Sequence, residues 1–125
     1  MSRQNVSSGY AFEDICGYSR AVCVGNQILV SGTTARLPQL DGDAYLQAKA
    51  ALAIIADALA KTGAGMQHVV RTVVYVIDMA DAQDVARAHS EAFDHIRPVS
   101  TLVQVSALTP ATARVEIEAT AIICD

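Results

Sequence analysis

The sequence predicts an α+β fold, a single mixed sheet with two helices on one face, in the order β-β-α-β-α-β-β. Three observations carry this expectation. The dipeptide Gly25-Asn26 separates two short β-rich runs, as a two-residue hairpin does. Two longer stretches, 43–62 and 81–93, repeat apolar residues at helical spacing. The run VVRTVVYVI at Val69–Ile77 is β-branched and apolar on both sides, the pattern of a central strand.

At 125 residues the chain has the size of one domain, 1–125, with room for one hydrophobic core. Apolar types make up 52% but aromatics only 5%, so the core must be built from Ala, Val, Ile and Leu. Small and branched side chains of this kind suit close packing of helices on a sheet.

Residues 1–16 read as a polar lead-in with a weak apolar patch at Phe12 and Ile15. The hairpin strands are Ser19–Val24 and Gln27–Ser31, closed by Gly32. The stretch from Thr33 to Gly42, with Pro38 and Asp41-Gly42, reads as a loop. Asp43 is placed to cap the first helix and Gly63 to end it, with Tyr45, Ala48, Leu52, Ile55, Ala56 and Leu59 on one face. Leu46, Ala50, Ala53 and Ile54 are apolar too, which predicts a helix covered over most of its circumference. Asp81, with Asp84 three residues on, reads as the cap and first-turn acid of the second helix. Pro98 stops that element. The strands Thr101–Ser106 and Ala113–Ile123 follow, joined by a turn at Thr109-Pro110.

Two helices cover one face of a sheet, yet the 69–77 strand is apolar on both. In the last strand Val115, Ile117, Ala119 and Ala121 alternate with Arg114, Glu116, Glu118 and Thr120. Uncovered apolar sheet on the order of several hundred Å² marks a protein–protein contact, and self-association is the expected one, with a loop folded over that face as the alternative.

The formal net charge is -4 and the Lys and Arg are scattered, so nothing here attracts a nucleic-acid backbone. Three cysteines (Cys16, Cys23, Cys124) make no CxxC and are odd in number, which argues against a disulfide framework. Three histidines show no ligand spacing, so no metal site is expected. A polar N-terminus and the lack of a long apolar run predict no membrane segment and a cytoplasmic protein.

Several residues have chemistry to offer. Glu116 and Glu118 share a strand face, where neighbouring acids separate their pKa values and serve acid/base work; a solvated face beside Arg114 is the plainer explanation. Arg20, on the same strand face as Tyr18, and Arg97 before Pro98 could each clamp a carboxylate, or simply form surface ion pairs. Ser100 and Thr101 could donate to a ligand, or hold the turn after Pro98. His89 and His95, six apart, read as surface or interface residues. No motif of covalent catalysis or phosphate binding is present.

Taken together, Gly17-Tyr18-Ser-Arg-Ala-Val, Gly25-Asn26-Gln-Ile-Leu-Val-Ser31-Gly32, Val70–Asp78, Arg97–Val105 and Val115-Glu116-Ile-Glu118-Ala119 resemble the RidA (YjgF) family of enamine/imine deaminases. The resemblance spans nearly the whole chain. It implies a chorismate-mutase-like fold, a homotrimer, and ligand clefts between subunits that take a small metabolite without metal or organic cofactor. It implies hydrolysis of reactive 2-enamines and imines to 2-keto acids and ammonia, by positioning and electrostatics on a labile substrate. By the same resemblance Glu116 matches the water-holding glutamate, Tyr18 the pocket tyrosine and Gly32 the glycine whose backbone lines the cleft. The family's carboxylate-binding arginine falls on Ser100, with Thr101 next to it, and its cysteine falls on Leu102, whose backbone N–H can still face a ligand. Loss of a bidentate guanidinium removes on the order of several kcal/mol of carboxylate affinity. Arg20, and Arg87 at a position that lends a side chain to the family's cleft, are the candidates to replace that charge. A trimer that binds a metabolite without turnover is the alternative function. The endoribonuclease activity ascribed to some relatives fits poorly with a charge of -4.

Overall fold

The computed structural model describes residues 2–124. A six-stranded mixed sheet runs in the order β1-β2-β3-β6-β4-β5. Its strands are β1 (Arg3–Val6), β2 (Ala21–Val24), β3 (Gln27–Thr33), β4 (Val69–Val76), β5 (Val99–Gln104) and β6 (Val115–Ile122). Three helices accompany it: α1 (Ala11–Cys16), α2 (Ala44–Ala60) and α3 (Ala82–Phe93).

The hairpin turns at Gly25, whose φ of 61° is the left-handed conformation the turn requires. β6 lies between β3 and β4 and is antiparallel to both. β4 and β5 are parallel, so they need a crossover, and α3 provides it. One face of the sheet carries α2 and α3. Ile28, Val30, Val74, Val76, Val115, Ile117, Ala119 and Ala121 meet Ala48, Leu52, Ile55, Leu59, Val85 and Phe93 in one core.

The Asp43 side chain accepts from the Leu46 N–H at 2.9 Å and starts α2 as expected. After the helix, the Ala64 N–H donates to Leu59 O across Gly63 at φ 84°. Gln47 is buried on α2 and ties down two loops. Its Nε2 donates to the carbonyls of Leu40, Gly42 and Thr112, and its Oε1 accepts from the Arg114 N–H.

Four expectations need correction. The lead-in is not formless: β1 pairs with β2, and α1 is fastened by the buried Glu13. β5 starts at Val99, two residues earlier than expected, which puts Ser100 and Thr101 inside a strand with opposite facings. Asp81 does not cap α3 with its side chain; both its oxygens take the Arg114 guanidinium at 2.9 and 3.0 Å. Nor is α2 covered most of the way round, since Leu46 and Ala53 remain exposed.

The second face of the sheet lies open in the chain alone. Val22, Leu29 and Thr120 share it with Arg71, Val73, Tyr75, Val99, Thr101 and Val103. Leu29 is 51% exposed and Val99 69%, on a sheet whose other face carries the core. Among the described residues, no helix is long and apolar enough to cross a membrane.

Candidate functional site

Alternation along β6 sends Val115 and Ile117 into the core and Glu116 and Glu118 to the open face. Across the sheet, Glu116 stands opposite Tyr75, which in turn stands opposite Val103. On its other side Glu116 leans over Gly32, where the pairing of β3 with β6 is irregular between Val30 and Thr33. A methyl group on Gly32 would lie 2.7 Å from Glu116 Oε2 and 2.9 Å from its Cδ. The carboxylate thus occupies space that only glycine leaves free.

Burial pushes the Glu116 carboxyl above its ordinary value, the neighbouring Glu118 charge pushes it further, and Arg20 pulls partly back. The Tyr75 hydroxyl donates to Glu118 Oε1, which raises the phenol above its usual range. The two acids differ in their partners: Glu118 accepts from a phenol, and Glu116 stands over Gly32.

Beside them lies a buried cation. Arg20 is 1% exposed and pairs with Glu13 at 3.2 Å. It also donates to Gly32 O at 2.8 Å, Thr33 Oγ1 at 3.0 Å and Tyr18 Oη at 3.2 Å. Four of the five N–H donors of a guanidinium are thereby engaged. Burial works against the Glu13 charge. Hydrogen bonds from Ser8, Ser7 and Arg20 outweigh it and leave the carboxyl below its ordinary value. Arg20 so ties Tyr18 to the Gly32 carbonyl, beside which Glu116 stands, and Tyr18 stays 37% exposed. Arg36, not singled out from the sequence, lies 3.4 Å over the Tyr10 ring. Burial, and then the charge of Arg20, lower its pKa.

The remaining sequence candidates sit elsewhere. Thr101 shares the open face with Val73 and Glu118. Ser100 and Leu102 point to the helix side of β5, into a cleft of about 250 Å³ against α3. There Thr72 Oγ1 donates to Ser100 Oγ at 2.8 Å and lies 2.8 Å from His89 Nε2. His89, expected at the surface or an interface, is half-buried against Phe93 at the edge of this cleft, and burial holds its pKa below the ordinary value. Arg87 lies on the outer side of α3, over the Tyr45 ring at 3.7 Å and 3.7 Å from Asp84. The Arg97 guanidinium turns back onto Asp94. One protomer thus brings Tyr18, Arg20, Gly32 and Glu116 together, and holds Ser100, Leu102 and Arg87 on the other side of the sheet.

No group of three or more His, Cys, Asp or Glu among the described residues is arranged to hold a metal. A second crevice, of about 500 Å³, runs between the loop at Leu40–Gly42 and residues 111–114, but its Arg114 is already paired with Asp81.

The family model described as Endoribonuclease L-PSP matches residues 9–123, nearly the whole chain. This chain belongs to that family, the YjgF/RidA group. A crystal structure of Rv2704 from Mycobacterium tuberculosis, described as a member of the YjgF/YER057c/UK114 family, is 44% identical. It covers 98% of this chain and 100% of its own, with a TM-score of 0.91. The protein SCO2049 of Streptomyces coelicolor is 37% identical over 118 residues, 92% of this chain and 88% of that protein. The 2-iminobutanoate/2-iminopropanoate deaminase of Homo sapiens is 33% identical over 124 residues, 96% of this chain and 90% of that enzyme. The YjgF-family reading of the sequence and the α+β sheet just described agree.

Proposed function

We propose that this chain is a RidA-like hydrolase. It acts on reactive imines or enamines in clefts between the subunits of a homotrimer, without metal or organic cofactor. The observation that carries the reading is the half-buried Glu116 carboxylate over Gly32, given a raised pKa by its surroundings. Supporting the assembly are the open sheet face, the unpaired edge of β5 and the separation of Ser100 and Leu102 from Glu116 within one protomer.

In the proposed reaction Glu116 accepts a proton from water as the water oxygen bonds to the imine carbon. Glu116 passes that proton to the nitrogen, giving a carbinolamine and the carboxylate again. The carboxylate then takes the carbinolamine hydroxyl proton as the C=O double bond forms, delivers it to the nitrogen as the C–N bond breaks, and is left ionised beside free ammonia. Atoms and charge balance: imine plus water gives ketone plus ammonia. A group with a raised pKa suits both proton transfers, because its driving force is closer to balanced near neutral pH. Three free cysteines favour a reducing compartment, and the proposal takes the protein as cytoplasmic.

The test is ammonia release from imines generated in situ by an amino-acid oxidase, from both amino acids and their amides. Glu116→Gln is expected to lower the rate about 10²–10⁴-fold while light scattering reports an unchanged assembly. An unchanged rate overturns the role. The uncharged environment of Ser100 favours a second reading, a trimer that binds a metabolite without turnover; stabilisation by ligands that are never consumed would select it.

A further inference from the structure

The half-cleft at Ser100 is built unlike a carboxylate site. Val74, Val85, Ala86 and Leu102 line it, with His89, Ser90 and Ser100 as its polar members, and among the described residues no Asp, Glu, Lys or Arg lines it. The arginines singled out from the sequence are engaged elsewhere: Arg97 with Asp94, Arg87 with Tyr45 and Asp84, and Arg20, across the sheet, with Glu13. A carboxylate placed here would be desolvated among apolar groups without a counter-charge.

The hydrogen bonds in this cleft form a chain through the buried Thr72, 2.8 Å from Ser100 Oγ and 2.8 Å from His89 Nε2. In the His89 tautomer that carries its proton on Nε2, the ring N–H donates to Thr72, and the single Thr72 proton goes to Ser100 Oγ. Each acceptor in the chain His89–Thr72–Ser100 is thus filled from behind. Ser100 receives a bond from Thr72 and keeps its own proton for the cleft, where it is exposed. Cooperative polarisation along such a chain strengthens its terminal donor.

We propose that Ser100, backed by Thr72 and His89, is a specificity-determining donor for an uncharged carbonyl oxygen, so that this cleft selects amide-, ester- or ketone-type ligands over carboxylates. The inference rests on the proposed function only in taking position 100 as part of the ligand cleft. It concerns binding and needs no turnover.

Pyruvamide and pyruvate are suitable probes, nearly identical in shape and differing in charge. Calorimetric titration of the assembled protein is expected to give pyruvamide at least about tenfold tighter binding than pyruvate. Ser100→Ala should weaken pyruvamide about three- to tenfold, the worth of a neutral hydrogen bond, and leave pyruvate unchanged. Ser100→Arg should reverse the preference. Thr72→Val should reproduce the Ser100→Ala loss and Thr72→Ser restore affinity, a rescue that a merely structural role of Thr72 would not produce. Pyruvate binding as tightly as pyruvamide, indifference to Ser100→Ala, or no binding of either probe in the millimolar range overturns the proposal. Failure of hydrolysis in Glu116→Gln is read separately, by ammonia release, so the two readings fall independently.

Discussion

Replacing Gly32 by alanine tests the proposed site without touching a charged or polar side chain. The added methyl would sit 2.7 Å from Glu116 Oε2, where ordinary carbon–oxygen contact is about 3.4 Å. The carboxylate must therefore retreat by roughly 0.7 Å, which is easy for the end of a flexible side chain. Gly32 is not among the glycines with positive φ, so alanine fits its backbone, and reduced freedom of the unfolded chain offsets part of the crowding. Stability is then expected to change by less than about 1 kcal/mol. Catalysis is more exacting, because misplacing a reacting group by about 1 Å costs around 10²-fold. Gly32→Ala should lower kcat/KM about 10- to 100-fold, equivalent to about 1.4–2.7 kcal/mol of barrier, with an unchanged melting temperature. Ammonia release under single-substrate conditions measures the first quantity and thermal unfolding the second. In the Glu116→Gln background the same substitution should cost almost nothing, because the two residues act through one contact. A Gly32→Ala enzyme within twofold of the parent, or an equal loss in both backgrounds, refutes the reasoning.

Three further outcomes follow from the charges. Glu116 has its folded-state pKa raised, so its contribution to stability is present below the ordinary carboxyl pKa of 4.5 and lost as pH rises through the folded value. Glu116→Gln should therefore raise the melting temperature at pH 7, and the gain should vanish in acid; calorimetry across pH checks both. Glu118→Gln removes the like charge beside Glu116, so the acid limb of the rate profile should move to lower pH toward 4.5; an upward shift would contradict the electrostatics. Glu13 has the opposite sign. Its lowered pKa stabilises the fold above pH 4.5, and Glu13→Gln should cost about 3–5 kcal/mol at neutral pH by leaving Arg20 buried without its partner, measured by urea unfolding.

Local patterns carried most of the fold. The Gly25 turn, the Asp43 cap and the strict alternation of β6 each depend on residues within a few positions of one another, and all three appear as the sequence reads. Strand alternation made Glu116 a candidate beside Glu118, but Gly32 as a site residue could be named only through family resemblance, since the contact between the two joins residues 84 positions apart. The start of β5 shows how a small boundary error propagates. A strand taken to begin at Thr101 leaves Ser100 in a turn; beginning it at Val99 fixes Ser100 and Thr101 on opposite faces. Nothing local announces α1, whose six residues are too few for a periodic signal, nor the His89–Thr72 contact, which joins a helix to a strand.

Arg20 shows why a charge found in a sequence is not yet a charge available to a ligand. Its position beside Tyr18 made it a natural substitute for the guanidinium replaced by Ser100. The fold gives it Glu13 instead, so the pair is nearly neutral from a distance, and the remaining donors hold Gly32 and Tyr18. What reaches Glu116 is a modest downward pull on its pKa, smaller than the upward push of burial and Glu118. A cation free to bind substrate would do more than this: unpaired and close, it would hold Glu116 strongly ionised and weaken it as a base. In the proposed reaction, pairing Arg20 with Glu13 thus preserves the basicity asked of Glu116, while four engaged donors hold the guanidinium in place. The same economy of charge recurs at Ser100, where a chain of neutral donors stands in place of a cation. Both halves of the proposed cleft are consequently polar but low in net positive charge, which is the electrostatic condition under which an uncharged imine competes successfully with a carboxylate for the site.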